Sequence, residues 1–123
     1  MIFGKKKASV SWTLNSNRSE SVIDKTCPAR IWIKEELQNV LSGKNEYLTL
    51  APDKAVGGYT FIQTCVYDSA PELLHVEAGV PRESGFKILA KDCCALDEAL
   101  EMFMMYFEKG AINTDGWYEL KLN

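Results

Sequence analysis

Nine consecutive residues, Tyr59-Thr60-Phe61-Ile62-Gln63-Thr64-Cys65-Val66-Tyr67, constrain this chain more than any other stretch. Aromatic and β-branched side chains suit a pleated surface and lose rotamer freedom in a helix, so the run is predicted to be a strand. Its density of bulky groups places it centrally in a sheet, and the preceding Gly57-Gly58 and Pro52-Asp53 pairs are turn chemistry that leads into it. A central strand needs neighbours on both sides, and the flanking sequence supplies them.

Val10, Trp12 and Leu14 alternate with Ser9, Ser11 and Thr13, the period of two that puts apolar side chains on one face of a first strand. The polar stretch Asn15–Ser21 reads as a surface loop. Tyr47–Leu50 is a short strand. Leu73–Ala78 and Phe86–Ala90 are two more, joined through the breaker-rich Gly79–Gly85, and Trp117–Leu122 closes the chain after the turn Asn113-Thr114-Asp115-Gly116.

Two segments carry helical spacing instead. Pro28 suits a first turn and Gly43 the position past a last turn, with Ile33, Leu37, Val40 and Leu41 on one side between them; this predicts a helix from about Pro28 to Ser42 with Trp32 at its edge. From about Asp92 a stripe of Leu96, Leu100, Phe103 and Phe107, widened by Ala99 and Met104, predicts a second helix that Gly110 stops. The expected fold is therefore α+β: an antiparallel sheet of about five to six strands with two helices packed on one face, in the order β-α-β-β-β-β-α-β.

At 123 residues, 46% hydrophobic and 25% charged, the chain fits a single domain over 1–123 with one core, and no composition shift marks a linker. Lys5-Lys6-Lys7 reads as a flexible, solvated basic N-terminus, residues 1–7. The net charge of −3 supplies no positive field for phosphate backbones, so nucleic acid is not an expected partner. No run approaches a membrane span and no secretory leader is legible, so a reducing cytoplasm is the expected setting for Cys27, Cys65, Cys93 and Cys94.

Chemistry is thinly represented. Zinc needs about four converging nitrogen or sulfur ligands, whereas His75 is the one histidine and Cys93-Cys94 are adjacent, so neither a metal nor a cofactor is expected. His75, in the alternating Leu74-His75-Val76-Glu77, reads as a surface or hydrogen-bonded residue and not as a base. Asp92, Asp97 and Glu98 lie near the start of the second helix, where its dipole favours negative charge. No phosphate-cradling or nucleophile-elbow motif is present, no catalytic residue is assigned, and the polar groups are expected to decorate a closed interior with no reactive cluster assembled by the fold.

The segment Leu96-Asp97-Glu98-Ala99-Leu100-Glu101-Met102-Phe103, then Phe107-Glu108-Lys109-Gly110 and a terminal strand with Trp117, together with the strand Tyr59–Thr64, resembles the small immunity proteins that neutralise bacterial polymorphic toxins. That resemblance implies a non-enzymatic cytoplasmic protein that binds a cognate toxin domain. The partner-binding residues expected on this reading are Asp97, Glu98, Glu101 and Glu108 of the acidic second helix with Trp117 and Tyr118 of the last strand, whose neighbouring side chains must point to opposite faces. The alternatives are a small ligand-binding domain or enzyme with a pocket between sheet and helices, using His75, Cys65 or Tyr67, and a homodimer joined through an uncovered sheet face.

Overall fold

The computed structural model describes residues 10–121. Seven strands form one antiparallel sheet in the order β2-β1-β3-β4-β5-β6-β7: β1 (Trp12–Ser16), β2 (Glu20–Ile23), β3 (Leu48–Pro52), β4 (Phe61–Tyr67), β5 (Ala70–Pro81), β6 (Phe86–Cys94) and β7 (Tyr118–Leu120). Helix α1 (Ala29–Leu41) joins β2 to β3, and α2 (Leu96–Lys109) joins β6 to β7. The α+β class and the two helices follow the sequence reading, and β4 holds the middle place in the sheet.

Both helices cover one face. Ala29, Ile33, Leu37 and Val40 of α1 and Ala99, Leu100, Phe103 and Met104 of α2 share a core with Leu14, Leu48, Leu50, Ile62, Leu74, Val76 and Ala78 of the strands. At its centre Tyr106 is fully buried, its hydroxyl donating to the Tyr59 carbonyl at 2.8 Å, and Trp12 packs edge-on against it at 5.0 Å. Burial pushes the Tyr106 phenol well up from its ordinary value. Tyr106 extends the stripe read from the sequence, because burying a phenol is tolerated once its hydroxyl has a partner.

Three expectations are corrected. The sheet has seven strands, because Glu20–Ile23, inside and just beyond the stretch read as a loop, pairs with β1 as the edge strand β2. Ser16 enables the tight return: its hydroxyl accepts the backbone N–H groups of Arg18 and Ser19. Second, β5 runs through Gly79, whose place in the sequence suggests a loop. A Cβ there would meet the Phe61 ring at 2.2 Å, so only glycine lets that ring lie across the strand. Third, β6 continues to Cys94, so Asp92 lies on a strand and not at the start of α2. The basic segment 1–7 and Leu122 lie outside the described residues.

Candidate functional site

Period-two alternation sorts every strand residue to the helix side or to the uncovered side. Along the register, Asn15 pairs with Thr49, Thr49 with Gln63, Gln63 with Glu77, Glu77 with Ala90 and Ala90 with Tyr118, one row running across the uncovered face. Cys65 pairs with His75 in the adjacent row, and Phe61, Gly79, Ile88 and Leu120 form the row on the other side.

A bulge completes the arrangement. Leu74 pairs with Cys94 and Val76 with Lys91, so His75 alone stands opposite Asp92 and Cys93. Cys93 takes a left-handed backbone, φ 61°, the conformation that an extra strand residue adopts and that glycine usually supplies. The inserted residue aims Asp92 back at the face, where its Oδ1 accepts the His75 Nδ1–H at 2.6 Å. On the other side of the ring, Nε2–H donates to Glu77 Oε2 at 2.8 Å.

The contacts continue in both directions. Gln63 Nε2 donates to Glu77 Oε1 at 2.6 Å, and the Thr49 hydroxyl donates to Gln63 Oε1 at 3.2 Å. At the far end the Tyr118 hydroxyl donates to both Asp92 oxygens, at 3.0 and 3.1 Å. The result is an unbroken hydrogen-bonded chain, Thr49–Gln63–Glu77–His75–Asp92–Tyr118, spanning β3 to β7.

Its electrostatics follow from donor counting. An ionised carboxylate can only accept, so two of them flanking an imidazole favour the form with a proton on each nitrogen. The hydrogen bond to Glu77, joined by that to Asp92, accordingly raises the His75 pKa against the opposing effect of burial, while His75 and then Gln63 hold Glu77 below its ordinary range. Tyr118 is pushed up to about 12 by desolvation and by its bond to Asp92. Cys65 is raised by burial and by the negative charges of Glu77 and Asp68, which keeps its thiol protonated and poorly nucleophilic.

A depression of about 350 Å³ beside this chain is lined by Tyr47, Gln63, Thr64, Cys65, His75 and Glu77. The imidazole, a thiol and two acids are thus gathered on one face, which corrects the expectation that the fold assembles no such cluster. A cavity of about 440 Å³ does lie between Trp12 of β1 and Phe107 of α2, but His75, Cys65 and Tyr67, expected in a pocket between sheet and helices, sit on the opposite, uncovered face. The histidine lies between its two carboxylates instead of converging with them on a common point, and among the described residues no group of His, Cys, Asp and Glu is placed to hold a metal ion.

The residues expected to bind a partner are divided between two faces. Asp97, Glu98, Glu101 and Glu108 lie on α2, in the helical layer. Two of them are paired, Glu98 with Lys91 and Glu101 with Arg30 at 2.6 Å, while Asp97 and Glu108 are exposed. Trp117 packs against the core, whereas Tyr118, 44% exposed, belongs to the uncovered face, so the two neighbours do point apart. A wider groove of about 580 Å³ between the start of α1 and the end of α2 is lined by Lys25, Cys27, Arg30, Glu108 and Lys109 among others, and its Arg30 is committed to Glu101.

Sequence reasoning missed Gln63, Glu77 and Asp92 as site residues. The spacing His75-x-Glu77 on an alternating strand already put those two on one face, and Gln63 shares a parity with Cys65. Asp92 was hidden by the bulge. Comparison of the chain with protein-family models, with curated proteins and with solved structures finds no match.

Proposed function

We propose that this chain is a non-enzymatic protein-binding domain that works in the cytoplasm, of the kind that neutralises a cognate toxin domain. The observation that supports it is the state of the reactive groups. Both ring nitrogens of His75 are held at hydrogen-bond distance from carboxylates, which favour the protonated ring, and the protonated ring has no lone pair with which to take a proton from a substrate. Cys65, the thiol beside it, is held protonated and cannot act as an activated nucleophile.

What the face offers instead is a braced platform edged by exposed aromatic side chains, Tyr47, Phe86 and Tyr118. Large rings around a desolvated polar centre are the anatomy of an interface whose affinity is concentrated in a few residues. A small ligand in the depression lined by Tyr47, Gln63 and His75 is the second reading, favoured by its concave shape.

Co-expression with a toxin domain encoded by a neighbouring reading frame tests the first reading. Co-elution of the two chains and loss of the toxin's activity are expected. Separate elution with the toxin still active removes the neutralising role.

A further inference from the structure

We infer that the uncovered sheet face recognises a basic protein surface, with an arginine or lysine of the partner seated against Glu77 and Asp92. The inference rests on the protein-binding reading and specifies the partner's chemistry.

Two of the chain's 14 lysines and arginines, Lys87 and Lys91, lie on described strands, and both fall on the helix side by their pairing with Val80 and Val76, so the described strand positions on the uncovered face carry no basic side chain. Their ionisable side chains of fixed sign are Glu20, Glu77 and Asp92, by the parity of the rows that hold Asn15, Gln63 and Tyr118. Lys91 lies on the helix side, where it reaches Glu98 of α2. The central cluster is also one positive charge short, since a single imidazolium faces two carboxylates.

That deficit is partly withdrawn from water: the His75 and Glu77 side chains are 14% and 15% exposed. A half-desolvated excess negative charge attracts a cation more strongly than a solvated one, and the carboxylates keep lone pairs free to accept from it. Tyr47 and Tyr118 expose rings beside the same centre, surfaces that suit a guanidinium or an ammonium. Phosphate would be repelled here. A two-fold pairing of this face with itself would bring acidic centres together, which disfavours a second copy as the occupant.

The test titrates the isotopically labelled full chain with a short peptide of alternating arginine and glycine, following backbone amide shifts. Shifts are expected at Gln63, Cys65, His75, Glu77, Asp92 and Tyr118, with affinity falling as salt is added. Glu77→Gln should weaken the peptide about tenfold, equivalent to about 1.4 kcal/mol. Asp92→Asn, which leaves Glu77 and its bond to Gln63 in place, should weaken it by a similar factor even if Glu77→Gln unfolds the chain, and Glu35→Gln, exposed on α1, should leave it unchanged.

Shifts confined to α2 would overturn the inference, as would equal binding of a glutamate–glycine peptide. Binding of spermidine as tightly as the peptide would also overturn it, because no protein surface is then being read, and so would self-association that the peptide fails to compete with. If the peptide does not bind while a toxin domain co-elutes, this inference falls and the protein-binding reading stands. If neither binds, both fall.

Discussion

The side chain on which the site turns is His75. Its pKa is raised above the ordinary 6.5, so the stabilisation it brings is complete below 6.5 and is lost as pH climbs through the raised folded value. Glu77 is held below the ordinary 4.5, so its contribution is complete above 4.5 and is lost as pH falls through the lowered one. The two windows overlap in mildly acidic solution. Replacing His75 by glutamine leaves two half-buried carboxylates without their cation and should cost about 1–3 kcal/mol there. Urea unfolding of wild type and H75Q, compared at about pH 5.5 and about pH 9, checks the sign. The gap should be wide at the lower pH and narrow at the higher; a gap that widens with pH contradicts the imidazolium.

Among the elements, the β5–β6 bulge does most to build the site, and it costs strain to do so. Cys93 occupies a left-handed conformation at φ 61°, which disfavours a residue with a Cβ by about 1–2 kcal/mol. Cys93→Gly should therefore be at least as stable as wild type in thermal unfolding, and Cys93→Val less stable by about 1–2 kcal/mol, since a β-branched residue tolerates this region worst. A stable valine variant with the His75–Asp92 contact intact would show that the conformation is not strained. The same bulge explains what the sequence left illegible. The run from Tyr59 announced its strand through composition, and both helices announced themselves through apolar period and a glycine stop. An αL cysteine carries no such signal, so Asp92 read as part of the approach to α2. β2 was missed for a related reason: it is an edge strand with only Ile23 buried, and a strand that buries one side chain need not alternate. His75 and Glu77 were legible as face-mates from their spacing, but the partners that lock them, Gln63 and Asp92, depended on pairings between strands distant in sequence.

For the molecule as a whole, the sheet divides two kinds of organisation. One face is closed by both helices over an apolar core, and among the described residues no element covers the other, where a hydrogen-bonded chain of polar side chains crosses five strands. Polar side chains that hydrogen-bond one another brace such a face in water. Because the chain contains one histidine, the state of the centre of that face can be read without assignment ambiguity. The most direct measurement is the long-range proton–nitrogen spectrum of the imidazole across a pH titration. The midpoint should lie above 6.5, with both ring nitrogens protonated below it, and should move down when Glu77 is replaced by glutamine. A midpoint below 6.5, with one nitrogen already bare there, would mean that the carboxylates do not hold the imidazolium and that the ring is free to act as a base.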